Sequence, residues 1–107
     1  MTEIVLLYCT TASVAEAEAI AQKVVGERLA ACANIIPGMR SVYWWQGKLE
    51  QGEEAVLILK TRTDLVEAVT AAVKAAHSYS TPCVLPLSIG QGGNPDYVAW
   101  LLAETTG

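Results

Sequence analysis

The sequence predicts an α+β fold of the ferredoxin-like kind, βαββαβ plus a C-terminal helix, in which an antiparallel sheet carries its helices on one face. Three observations point there. Short apolar runs of strand length alternate with two segments of helical periodicity, the two middle strands follow one another across turn residues, and a last helix signal closes the chain. With 107 residues and 52% hydrophobic content, residues 1–107 have the size of one domain and enough apolar surface to bury a core.

Residues 4–11 read as a mostly apolar strand. Ser13 and Glu16 then have the spacing of a capping box, in which each satisfies a free backbone donor of the first helical turn. Ala17, Ile20, Ala21 and Val24 recur at helical spacing, while Glu16, Glu18, Lys23 and Glu27 fall mainly outside that stripe, so the helix packs one face on the sheet and runs to Leu29 or Ala30. A second strand over residues 31–36 breaks at Pro37-Gly38 and resumes over 41–45, ahead of a turn-rich stretch over 46–52. This makes a long, kinked or bulged hairpin arm whose return strand covers 53–61. Asp64, with Glu67 three residues on, opens a second helix that carries Leu65, Val69, Val73 and Ala76 and stops near His77. The last strand spans 83–89, and Pro86, which lacks an amide for a ladder bond, places it at an edge or beside a bulge. After a loop over 90–93, Asn94 caps and Pro95 begins a short helix with Val98, Leu101 and Leu102 on its buried side.

No apolar run approaches the roughly 20 residues of a membrane-spanning helix, and Met1-Thr2-Glu3 puts no basic segment ahead of the first one. No secretory signal and no membrane partner are expected. A net charge of -4 and a pI of about 4.8 disfavour nucleic acid as a partner, because phosphate backbones are held by clustered Lys and Arg. The three cysteines, Cys9, Cys32 and Cys83, are odd in number and form no CxxC pair, which fits reduced thiols in the cytoplasm. Mean hydropathy is +0.33 with only 17% charged residues, below the roughly 25% of globular domains. Part of the apolar surface is therefore expected to meet another chain.

Tyr43, Trp44 and Trp45 stand side by side in the arm, and strand alternation sends Trp44 and Trp45 to opposite faces. They read as a subunit interface, or as an aromatic lid over the sheet. His77, the only histidine, offers with Cys9 and Cys83 a borderline-soft ligand set suited to copper or zinc. The other reading makes Cys9 and Cys83 small buried hydrophobes and His77 a partner for the last carbonyls of its helix. Cys32 reads as a packing residue. Lys60 alternates with Val56 and Ile58, so its cation shares an apolar face, either to bind an anion or a carboxylate across subunits or to lay its stem on that face with its head in water.

Glu50, Glu53 and Glu54 read as a solvated hairpin end, since no calcium-loop spacing surrounds them. Gly90-Gln91-Gly92-Gly93 lacks the Lys and Ser or Thr of a phosphate loop. A lone histidine with no nucleophile motif makes no catalytic triad, so no enzyme and no required cofactor are expected. With no Phe and no basic aromatic motif, the chain does not read as an RNA-binding module.

Five segments carry a family resemblance: Leu29-Ala30-Ala31-Cys32-Ala33-Asn34-Ile35-Ile36-Pro37, Ser41-Val42-Tyr43-Trp44-Trp45-Gln46-Gly47, Leu59-Lys60-Thr61, His77-Ser78-Tyr79-Ser80-Thr81-Pro82 and Tyr97-Val98-Ala99-Trp100. In this order they resemble the CutA divalent-cation tolerance proteins. The resemblance implies a ferredoxin-like subunit in a tight PII-like homotrimer linked to tolerance of copper and other divalent cations, with no catalytic activity. It also implies that the positions of Cys9, His77 and Cys83 are those proposed to bind copper in some members. The chain departs from the family's usual pattern at Ser78 and Ser88, where Pro is usual, and at Cys83, where Glu is usual. A second implied role is that of a PII-like regulator accepting a small anionic ligand or a partner protein in the clefts between subunits.

Overall fold

A computed structural model of the chain describes residues 4–106. The reading of Met1-Thr2-Glu3 falls outside the described residues. The elements are β1 (Ile4–Thr11), α1 (Val14–Gly26), β2 (Cys32–Trp45), β3 (Lys48–Arg62), α2 (Val66–Ala76) entered through a short 3-10 turn at Thr63–Leu65, β4 (Val84–Ser88) and α3 (Pro95–Glu104). All strands pair antiparallel in one sheet of order β2-β3-β1-β4. This is the expected ferredoxin-like arrangement, and Pro86 does lie on an edge strand.

Burial follows from alternation. Val5, Leu7, Cys9 and Thr11 on β1 and Ala55, Leu57, Leu59 and Thr61 on β3 are buried. Leu7, Cys9, Leu57 and Leu59 form one cluster with Ala17, Ile20, Ala21 and Val24 of α1 and Val69 and Val73 of α2. These two helices cover one face of the sheet. The period of two sends Leu6, Tyr8 and Thr10 of β1, and Val56, Ile58 and Lys60 of β3, to the opposite face. Leu85 and Leu87, paired with Tyr8 and Leu6, join them there and are exposed. α3 reaches this open face at one end, where Tyr97 meets Lys60, and buries Leu101, with Val98 and Leu102 half-buried. Among the described residues no helix is long and apolar enough to cross a membrane.

The caps explain where helices begin and where one ends early. Ser13 accepts from the Glu16 N–H at 3.1 Å, and Asn94 accepts from the Asp96 N–H at 3.0 Å, so both N-caps form as the sequence indicates, while the Glu16 side chain takes the Ala12 N–H and leaves the reciprocal half of the capping box unmade. α1 stops at Gly26 and not near Leu29, because Arg28 turns into the left-handed region at φ 60. The Leu29 N–H then bonds Val24 O and the Arg28 N–H bonds Val25 O, which is the Schellman closure with arginine in the place that glycine usually takes. Asp64 does not cap α2; its carboxylate pairs with Arg62 at 3.0 Å, and Ala76 at the helix end is exposed.

The arm differs in detail from its sequence reading. β2 runs through Pro37-Gly38 without ending, taking a bulge between Ile36 and Met39. The turn is only Gln46-Gly47, both at positive φ (50 and 78), the signature of a two-residue primed hairpin turn. β3 therefore begins at Lys48, five residues earlier than the turn-rich composition of 46–52 suggests.

Leu59 is fully buried at the centre of the cluster. Leu59→Ala is expected to destabilise the protein by about 2–5 kcal/mol in chemical denaturation, through lost transfer energy and an unfilled cavity. A loss below about 1 kcal/mol would contradict this placement of the core.

Candidate functional site

Residues 48–54 of β3 pair with β2 alone, so this end of the hairpin projects beyond β1. Trp44 lies opposite Leu49 and Trp45 opposite Lys48, and the pleat sends the two tryptophans to opposite faces. Val42, Trp44 and Leu49 are 67%, 72% and 58% exposed, far more than side chains of this size are when packed. Tyr43 and Trp45 turn toward a cavity of about 730 Å³ between the arm and residues 79–83, whose lining also includes Thr10, Glu54, Tyr79 and Cys83.

Glu54 organises that cavity. Its carboxylate accepts from Ser41 Oγ at 2.6 Å and from Tyr79 Oη at 2.9 Å. Burial, the bond to Glu54 and the nearby charges of Glu54 and Glu16 push the Tyr79 phenol up to about 12, so it stays a donor. Glu54 is thus a half-buried acceptor tying the arm to the loop after α2, unlike the solvated hairpin end that its neighbours in sequence suggest.

The structure brings Cys9, His77 and Cys83 to the same end of the sheet and gives each its own surroundings. Cys9 is fully buried in the core cluster, and burial, with the Cys83 thiol nearby, pushes its thiol up to about 12. Cys83 is half-buried on the cavity side, its Sγ 3.9 Å from Tyr8 O. Burial and the charge of Glu54 raise its thiol as well, with a partial offset from a hydrogen bond to Thr10. The His77 side chain is fully buried, with Nε2 2.7 Å from Thr10 O and Nδ1 3.0 Å from the Tyr79 N–H. A carbonyl only accepts, so Nε2 carries the proton and Nδ1 is the acceptor of a neutral ring. His77 bonds β1 and not the last carbonyls of α2. Its one lone pair is occupied by Tyr79, and among the described residues no group of three or more His, Cys, Asp or Glu is disposed to hold a metal ion.

Glu16 was visible in the sequence only as a capping residue. Its carboxylate accepts from the Ala12 N–H at 3.0 Å and the Ser78 N–H at 2.9 Å, and lies 3.9 Å from His77 Nδ1. Burial raises this carboxyl, but hydrogen bonds from the Ser78 side chain, Ala12 and the Ser78 N–H outweigh burial and hold it below its usual 4.5.

At the far end of the open face Lys60 Nζ lies 3.2 Å from Tyr97 Oη and 5.3 Å from the ring centre, and Cys32 Sγ lies 3.6 Å from the same hydroxyl. Cys32 is half-buried, a packing residue with one polar contact. The bond to Tyr97 raises the Lys60 ammonium against the opposing pull of burial, with Cys32 and Tyr97 adding charge effects, so it stays cationic.

Glu16 generates a prediction with a definite sign. A carboxyl depressed in the folded state adds stability above its unfolded pKa and loses it as pH falls through the lower folded value. Glu16→Gln is expected to be less stable than the parent at pH 7, and the gap should narrow on acidification below about 4.5. Denaturation at pH 7, 5 and 3.5 checks this; a gap independent of pH would show that the charge of Glu16 contributes nothing.

Comparison with known proteins adds the family. Residues 5–104 match the sequence profile described as CutA1 divalent ion tolerance protein. The chain is 44% identical to a chloroplastic protein, CutA 1, of Oryza sativa subsp. japonica over 94% of its own length, and spans 56% of that relative. It is also 44% identical to the divalent-cation tolerance protein CutA of Citrobacter koseri, covering 95% of this chain and 88% of that one. Among solved structures, CutA1 from Oryza sativa superposes with a TM-score of 0.92 at 43% identity over 96% of this chain and 94% of the other. The divalent cation tolerance protein from Thermus thermophilus gives 0.89 at 42% identity over 98% and 99%. Agreement in sequence over nearly the whole chain and in backbone places it plainly: the chain belongs to the CutA1 divalent ion tolerance family.

Proposed function

We propose that this chain serves divalent-cation tolerance as a closed, PII-like homotrimer that binds or responds to a divalent metal such as copper, without catalytic turnover, in the cytoplasm. The observation that carries the metal reading is the placement of Cys83, a soft ligand lining a cavity beneath the aromatic arm and close enough to Cys9 to raise that thiol. His77 joins the set only if Nδ1 releases the Tyr79 N–H, and Cys9 only if it leaves the core. Both steps oppose binding, so the expected affinity is modest and Cys83 is the residue that matters most.

Exposed apolar surface supports the trimer. Val42, Trp44 and Leu49 on the arm, with Leu85 and Leu87 on the open face, leave more large side chains in water than a monomer tolerates. β2 and β4 are the two sheet edges, and a closed ring covers them without starting a fibre. The commitment of both His77 nitrogens and the raised Cys9 thiol supports the absence of turnover. Three free thiols support the cytoplasm.

Chelator competition on the assembled protein should rank Cu(I) above zinc and leave calcium and magnesium undetected, because thiolate and imidazole suit the former and the latter require several oxygens. Cu(I) and zinc are tested separately, since thiolates reduce Cu(II). The raised thiol must lose its proton to the metal, so binding should strengthen with rising pH, by about tenfold per unit for each proton released. Cys83→Ser should weaken both metals more than Cys9→Ser or His77→Ala. Equal binding by the parent and all three variants would remove the metal site from this end of the sheet.

Sedimentation should give a trimer at low micromolar concentration, with a melting temperature that rises with protein concentration. Trp44→Glu combined with Trp45→Glu should lower the association state. A stable parental monomer, or a double variant as associated as the parent, would overturn the interface.

A further inference from the structure

We propose that His77, Tyr79 and Glu54 form a relay that clamps the root of the aromatic arm, so that a divalent cation taken by His77 unclamps the arm and the two events are linked. The relay stands on bonds within one subunit; its last step, the response to a cation, rests on the metal reading above.

The root of the arm is where a clamp is needed. β1 ends at Thr11, opposite Ala55, so Glu54 is the first residue of β3 with β2 alone as its neighbour. Glu54 also lies opposite Met39, where β2 resumes its pairing after the bulge, and Gly38 in that bulge adopts a φ of 72. One strand of the hairpin thus loses its support at the point where the other is interrupted, and bulges are where strands bend. Glu54 closes this point. One oxygen accepts from Ser41 Oγ at 2.6 Å within the hairpin, and the other accepts from Tyr79 Oη at 2.9 Å outside it.

Tyr79 is in turn set by His77. Its N–H donates to Nδ1 at 3.0 Å, and its ring centre lies 4.7 Å from that of the imidazole. Nε2 is anchored on Thr10 O at 2.7 Å, one residue before β1 ends. Three successive bonds therefore join the end of β1 to the root of the arm, through side chains of a fully buried histidine and of a half-buried tyrosine and glutamate.

A cation at His77 breaks this chain at a defined place. Nε2 is committed to Thr10, so only Nδ1 has a lone pair to give, and that lone pair holds Tyr79. Ser78 stays in place, because Glu16 holds its N–H at 2.9 Å. The displacement begins at Tyr79 and carries its hydroxyl away from Glu54. By linkage, whatever fixes the arm in its clamped pose weakens the cation by the same factor.

The test is hydrogen exchange on the assembled full chain, first in EDTA. Tyr79→Phe keeps the N–H and the ring and removes the bond to Glu54, whereas His77→Ala removes the acceptor of that N–H. Each is expected to speed exchange of the arm amides, 39–45 and 48–54, by about tenfold, with Tyr79→Phe sparing 4–11 and 55–61, because a hydrogen bond to a carboxylate no longer opposes local opening. The double variant should exchange no faster than the faster single one, since both break one chain. Zinc is then added. It should speed the arm amides of the parent and leave those of Tyr79→Phe unchanged, and Tyr79→Phe should bind zinc about tenfold more tightly than the parent, a gain that mere damage to the site does not produce. The relay is overturned if either single variant leaves the arm at the parental rate or if the two effects multiply. The link to the cation is overturned if zinc binds the parent without changing the arm, or binds Tyr79→Phe no more tightly. A parent that binds no zinc refutes the metal reading, and the measurements in EDTA then decide the relay by themselves. Should His77→Ala fail to fold, the exchange map of Tyr79→Phe decides it.

Discussion

Burial of Ala55, Leu57, Leu59 and Thr61 against α1 and α2 sets the phase of β3, and the pleat then leaves no choice for Val56, Ile58 and Lys60, which must face the other way. The neighbouring strands inherit that phase through their ladders. Cys9 is paired with Leu57 and goes to the core, while Thr10, paired with Val56, goes to the open face. Slipping β3 by one residue would exchange core for surface along its whole length and bury Lys60 under two helices.

The bulge at Pro37-Gly38 is the one place where this phase is reset. Before it, the even residue Ile36 lies opposite Val56; after it, the odd residue Met39 lies opposite Glu54 on the same side of the sheet. Tyr43 and Trp45 therefore turn toward Cys83 and Glu54, and Trp44 turns away with Leu49. Without the extra residue the aromatics would trade places. The far side of the cavity is fixed by bonds of long sequence reach, from Thr10 to His77, Glu16 to Ser78 and Glu54 to Tyr79, which hold the loop after α2 against β1, α1 and the arm.

Much of this was legible in the sequence because it rests on local chemistry. The first strand, the Ser13 and Asn94 caps, the edge position of Pro86 and the opposed tryptophans each depend on a few adjacent residues. The rest was set by partners far away along the chain. Nothing local marks Arg28 as a left-handed residue that ends α1; its Nη1 meets Glu104 at 2.7 Å, 76 residues on. The glycine and acids around 46–52 suggest a long turn, but cross-strand pairs carry the ladder to within two residues of the tip. His77 could be picked out as the only histidine, yet its tautomer depends on Thr10 and Tyr79, and Glu54 could not be told from Glu50 or Glu53 until Tyr79 was placed beside it.

β3 runs from Lys48 to Arg62 with no break, and its ladder with β2 shifts only through the bulge on the β2 side. Glu54 at its contact with Tyr79 and Lys60 at its contact with Tyr97 sit on this single strand, six residues and roughly 20 Å apart. The strand therefore works as a ruler. The distance between the two contacts is written into covalent geometry, and helices or loops can be remodelled around it without altering that spacing. If β3 is translated as a unit, both contacts are displaced in the same direction at once.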